Sequence, residues 1–90
     1  MRLCVYRIEW HREAAKQFRD IVSVSVRNEI LNVIEQDIAV NPLVGKPLAC
    51  PFAGLRSFRI GTLRILFKAY KDRLVIVILR IEHRKNVYRA

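Results

Sequence analysis

The chain has 90 residues and carries 17 Lys and Arg against 8 Asp and Glu, a formal net charge of +9 at pH 7. That length predicts one domain spanning residues 1–90, and 52% hydrophobic residues supply a thin core, which excludes a disordered chain. The excess of cations, concentrated in the second half, points to a polyanionic partner: nucleic acid, an acidic protein or a membrane surface.

The first ten residues, MRLCVYRIEW, hold no long apolar stretch, so no signal peptide is expected. Residues 2–9 alternate and predict a strand, with Cys4, Tyr6 and Ile8 on one face and Leu3 and Val5 on the other. Over 10–21 the period changes: Trp10, Ala14, Phe18 and Ile21 recur at helical spacing. Ser23 or Ser25 is placed to cap a second helix, whose stripe of Val26, Ile30, Val33, Ile34 and Ile38 runs from 24 to about 40 and stops at Asn41-Pro42. Residues 41–54 hold all three prolines and two of the three glycines. They predict an extended loop pinned by Leu43, Val44, Leu48 and Phe52.

Three strands follow, at about 55–60, 63–70 and 73–82, with Lys71-Asp72 as the second turn. The run LVIVIL lacks polar alternation and predicts a central strand covered on both faces. At six residues, Leu74–Leu79 is far too short to span a bilayer. The expected fold is α+β, in the order β-α-α-β-β-β: a small antiparallel sheet with a two-helix hairpin packed on one face. The other face stays open. Along 63–70 it presents Arg64, Leu66, Lys68 and Tyr70, a mixed basic and apolar surface suited to binding. The expected location is the cytoplasm, with no membrane partner.

The stretch Arg59-Ile60-Gly61-Thr62-Leu63-Arg64 reads as a tight hairpin whose Gly61 suits the first central position of a type II′ turn. It sets Arg59 opposite Arg64, and like charges facing each other across strands cost stability. An anion seated between the two arginines removes that cost. The second hairpin is expected to bring Leu79 or Arg80 opposite Arg64, according to its loop length. His83, Arg84, Lys85, Tyr88 and Arg89 follow at once.

Few chemistries fit these residues. Cys4 and Cys50 form no CxxC and no Cys/His quartet for zinc, and a disulfide between them has nothing in its favour. There is no carboxylate cluster, P-loop or HExxH, and Glu82 stands alone, so no metal or cofactor is expected. An Arg/His/Tyr set suits RNA cleavage by the substrate's own 2′-OH. A base takes the 2′ proton, arginines stabilise the pentavalent phosphate, and an acid protonates the leaving 5′ oxygen. Adjacent arginines favour the ionised form of a tyrosine base.

The chain resembles the RelE/ParE superfamily of bacterial and archaeal toxins, most closely its RelE branch. The resemblance rests on the N-terminal strand followed by W...AAKQF at 10–18, on Asn41-Pro42, on Leu48, on RSFRIGTLRILF at 56–67 and on RIEHRKNVYR at 80–89. It implies a ribosome-dependent endoribonuclease that cuts mRNA in the ribosomal A site and is neutralised by a cognate antitoxin, with operator DNA bound only through the antitoxin complex. It implies catalytic roles for Arg64, Arg84 and Tyr88. His83 is similar to histidines near this position in relatives and competes with Tyr88 as base. Arg59, Arg56, Lys68, Arg80, Lys85 and Arg89 would then bind RNA. The chain departs from the family pattern at Ser57, where a basic residue is expected, and at Leu63, where a tyrosine is. The ParE branch implies a non-enzymatic inhibitor of DNA gyrase instead. A catalytically weak nucleic-acid-binding member of a toxin–antitoxin complex is the third possibility.

Overall fold

The computed structural model describes residues 5–48 and 54–83. Strand β1 (Arg7–Trp10) leads directly into α1 (Arg12–Arg19), then α2 (Val24–Val33) and its π-helical continuation Ile34–Ile38. A 3-10 turn (Pro42–Val44), a two-residue strand β2 (Lys46–Pro47), β3 (Arg56–Ile60), β4 (Leu63–Tyr70) and β5 (Val75–His83) complete it. The sheet order is β1-β5-β4-β3-β2. Strands β3 to β5 pair antiparallel, as expected; β2 adds to β3 antiparallel, and β1 departs from the expected antiparallel sheet by joining the far side of β5 in parallel. The β-α-α-β-β-β order therefore holds, with β2 an addition inside the loop expected at 41–54.

The helices form where local chemistry allows. The expected first helix began at Trp10, but Trp10 closes β1, and His11 ends the strand by donating its N–H to the Ile78 carbonyl at 2.9 Å. The His11 Nδ1 then accepts from the Glu13 N–H at 3.1 Å, capping α1. The Ser23 hydroxyl does the same for α2, accepting from the Val26 N–H at 3.2 Å. Within the π turn the Ala39 N–H donates to the Ile34 carbonyl at 2.8 Å, and both Ile34 and Ile38 are buried. Neither helix is long and apolar enough to cross a membrane.

Both helices pack on one face of the sheet. Ala14 from α1 and Ile30, Ile34 and Ile38 from the α2 segment meet Ile60, Leu63, Ile65, Phe67, Ile76, Ile78 and Ile81. Trp10 and Phe18 stack across the edge, ring centroids 5.2 Å apart and tilted by 57°. Beyond the end of β1, the Gln17 side-chain oxygen accepts from the Ile81 N–H at 2.8 Å, so α1 satisfies an edge donor that β1 is too short to reach.

Two expectations about the loops change. Leu43 and Val44 are exposed rather than pinning the loop. The 3-10 turn buries Pro42 instead and brings buried Gly45 against Phe67. The second hairpin has four connecting residues, 71–74, not two, with Leu74 in the left-handed region at φ 54°. In the first hairpin Gly61 has φ 57° and Thr62 does not share the positive φ, as a type II′ turn requires.

Cys4, Cys50, Phe52 and Leu3 lie outside the described residues.

A Cβ on Gly45 would lie 2.5 Å from the Phe67 ring. Gly45→Ala is therefore expected to lower stability by about 1–3 kcal/mol, read as a lower urea midpoint. Leu74→Gly relieves a left-handed leucine and is expected to raise stability by about 1 kcal/mol in the same titration.

Candidate nucleic-acid interface

Antiparallel partners share a face, so the ladder sorts the side chains. Ile60, Phe58, Leu63, Ile65 and Phe67 point to the helices. Arg59, Ser57, Arg64, Leu66, Lys68 and Tyr70 share the opposite face, which neither helix covers. The expected rung is present: Arg59 pairs with Arg64 and Ile60 with Leu63.

Across β4 and β5 the rungs differ from expectation. Tyr70 pairs with Val75 and Phe67 with Ile78, but Leu66 pairs with Arg80 and Arg64 with Glu82. Leu79 is the extra residue of a β-bulge. Arg64 thus faces neither Leu79 nor Arg80. The four-residue loop and the bulge together slide the register until Glu82 stands opposite. Without the bulge, Ile81 would lie on the open face, and Arg80 and Glu82 would point at the helices.

Glu82 is consequently not alone. Its Oε2 accepts from the Arg80 Nε at 2.6 Å, and its side chain is only 17% exposed, against 50% for Arg80. The row Arg59–Arg64–Glu82, with Arg80 beside it, places one carboxylate among three arginines. The anion expected between the arginines is in part built into the chain. The wider open face carries Arg7, Lys46, Arg59, Arg64, Lys68 and Arg80 against Glu9 and Glu82, with Leu66 and Val77 between them. Arg7 is held by Glu9 at 3.0 Å.

Not every expected site residue reaches this face. Arg56 pairs with Phe67 on the helix side, and its Nη1 donates to the Gly45 carbonyl at 2.6 Å. It ties the loop to β3 and is withdrawn from the RNA-binding set, because strand alternation turns it away from Ser57 and Arg59. Arg59, Arg64, Lys68 and Arg80 do share the open face. His83 pairs with Leu63 on the rung after that of Arg64, by backbone register. Arg84, Lys85, Tyr88 and Arg89 lie outside the described residues. Glu82, Lys46 and Arg7 were missed: the first needed the bulge, the other two needed β2 and β1 to be placed in the sheet.

Behind the arginine row, a groove of about 610 Å³ opens between the α1–α2 turn and the ends of β4 and β5. Ile21, Val22, Val26, Leu63 and Ile81 give it an apolar lining, and Arg80 and Glu82 stand at it.

Comparison with known proteins decides the family. Residues 8–88 match the model of the ParE toxin of the type II toxin–antitoxin system parDE. The chain belongs to the RelE/ParE toxin superfamily. It is a toxin of type II toxin–antitoxin systems by that membership. It is similar to Toxin RelG of Mycobacterium tuberculosis, with 44% identity over 54 residues. That alignment covers 59% of this chain and 62% of that relative's length. It is also similar to a chain of the toxin–antitoxin complex RelBE2 of the same organism, at 28% identity and a TM-score of 0.83, covering 92% of this chain and 95% of that one. The archaeal RelE–RelB complex of Pyrococcus horikoshii shares the fold at 18% identity, TM-score 0.71, with 96% of this chain and 99% of that one covered.

Replacing Glu82 by Gln removes the carboxylate that Arg80 holds and that stands across from Arg64. Glu82→Gln is expected to lower stability by about 1 kcal/mol. Millimolar sulfate or phosphate is expected to raise its melting temperature more than that of the wild type, because the added anion refills the place of the lost charge.

Proposed function

We propose that this protein is a RelE-like mRNA endoribonuclease that inhibits translation by cutting mRNA in the ribosomal A site. The observation that carries the reading is the gathering of Arg59, Arg64 and Arg80 on the sheet face that neither helix covers, with the Glu82 carboxylate beside Arg80. Its likeness to Toxin RelG and to the RelBE2 complex supports the same branch.

In this mechanism Arg64 holds the scissile phosphate and stabilises the charge that develops on it as the 2′-oxygen attacks. Arg84 shares that task. Arg59, Arg80, Lys68, Lys85 and Arg89 hold the backbone. Tyr88 takes the 2′ proton, with His83 the competing base, and the 5′ oxygen leaves protonated. DNA lacks the 2′-OH and is spared. Guanidinium forks suit the phosphate because they bind it in bidentate fashion. The work would be done in the cytoplasm, on ribosome-bound mRNA. The partner is a cognate antitoxin whose acidic and apolar segments would cover the basic face and the groove beside it. Operator DNA would be reached only through that complex.

The family model's own description names ParE, and this favours a second reading: a non-enzymatic inhibitor of DNA gyrase. An in vitro translation reaction with a defined mRNA separates the two. New RNA 5′ ends inside A-site codons are expected, and Arg64→Ala is expected to reduce them at least about a hundredfold. Tyr88→Phe is expected to lose cleavage while His83→Ala retains part of it; the reverse assigns the base to His83. An intact message, together with loss of supercoiling by gyrase, would make the second reading the correct one.

A further inference from the structure

The open face ends, at the opposite end of β4 from Arg64, on an aromatic ring that the proposed mechanism does not use. Tyr70 lies six residues along β4 from Arg64, about 20 Å at about 3.3 Å per residue. Every other aromatic among the described residues belongs to the core or packs against it: Tyr6, Trp10, Phe18, Phe58 and Phe67. Tyr70 does not. It shares the face of Arg64, Leu66 and Lys68. Two cations stand over its ring: the Lys68 Nζ is 5.2 Å from the ring centroid and the Arg73 Cζ 4.7 Å. The Arg73 side chain is 67% exposed, and its Nε lies 4.0 Å from the Asp72 carboxylate.

Both parts of a nucleotide find a partner here. A base stacks on an aromatic ring or a guanidinium plane, and its flanking phosphates meet an ammonium and a guanidinium. The same face continues through Leu66 and Val77 to the arginines, so basic and apolar groups alternate along one line. An acidic peptide would use the cations but not the ring. We propose that Tyr70, with Lys68 and Arg73, forms a base-stacking subsite for single-stranded RNA, remote from the scissile phosphate. It rests on the reading of this face as an RNA surface. The subsite supplies affinity and register to the message and takes no part in bond breaking.

The test uses the full chain and a fluorescein-labelled single-stranded RNA oligonucleotide, read by anisotropy over a salt series, beside the translation reaction above. Tyr70→Ala is expected to raise Kd about fivefold to about a hundredfold, the range found when a stacking aromatic is removed. Tyr70→Phe keeps the ring and is expected to bind as the wild type does. Lys68→Gln and Arg73→Gln are each expected to flatten the slope of log K against log salt by about 0.7. In the translation reaction, Tyr70→Ala is expected to need more toxin for half-maximal cutting while the saturated rate holds.

Unchanged RNA affinity in a Tyr70→Ala protein that melts like the wild type overturns the proposal. Should that variant not fold, Tyr70→Leu takes its place under the same criterion. Loss of polyglutamate binding in either variant, with RNA binding intact, assigns the ring to an acidic protein and also overturns it. If the wild type cuts mRNA and Tyr70→Ala matches it in both assays, the subsite fails and the endoribonuclease reading stands. Tyr70-dependent RNA binding without any cutting reverses that outcome.

Discussion

One residue of excess in β5 organises the functional face. Strand side chains alternate, so a strand that is buried at Ile76 and Ile78 must turn Arg80, not Ile81, to the helices if nothing intervenes. The bulge at Leu79 flips the parity and buries Ile81. It turns Arg80 and Glu82 to the side of Arg64. The same flip presents the Ile81 N–H to Gln17 on α1, so the bulge is satisfied from the helix layer. Apolar burial on one face and charge on the other depend on this single irregularity.

Against that background, the rung of two arginines makes physical sense. Arg59 and Arg64 face each other because the tight turn at Gly61-Thr62 leaves no other register. Their repulsion is offset in place by Glu82, which is nearly buried and pinned by Arg80. A carboxylate held there places a negative charge beside the arginine row and fixes the Arg80 guanidinium. Under the proposed function, a phosphate entering this cluster would meet donors gathered on one face, with the helices holding the sheet from the reverse side.

Sequence periodicity carried most of the architecture. The stripe of Val26, Ile30, Val33, Ile34 and Ile38, the Ser23 cap and the Arg59–Arg64 rung all stand as local rules predict, because each depends on neighbours a few residues away. Trp10 misled because its spacing to Ala14 and Phe18 is helical while its backbone belongs to β1; the ring reaches Phe18 from the strand. Arg56 was placed among the RNA contacts beside the basic position that Ser57 occupies here, and alternation along β3 sends it to the Gly45 carbonyl instead. Glu82 looked solitary among carboxylates, but Arg80 reaches it from two residues back on the same strand and Arg64 stands across from it on β4.

By itself the sequence determined the α+β order, the open basic face of β4 and the family, since composition, period and motif order are properties of the chain read in line. The tertiary structure decided which charges meet. The parallel docking of β1, the two-residue β2, the four-residue turn at 71–74 and the bulge at Leu79 are each settled by competition between distant segments for the same backbone donors and the same apolar space. A one-residue change in register moves every later side chain to the other face. No local pattern in RIEH encodes that choice. It is made where Ile81 is buried beneath the helices and Glu82, one residue on, comes to stand across from Arg64.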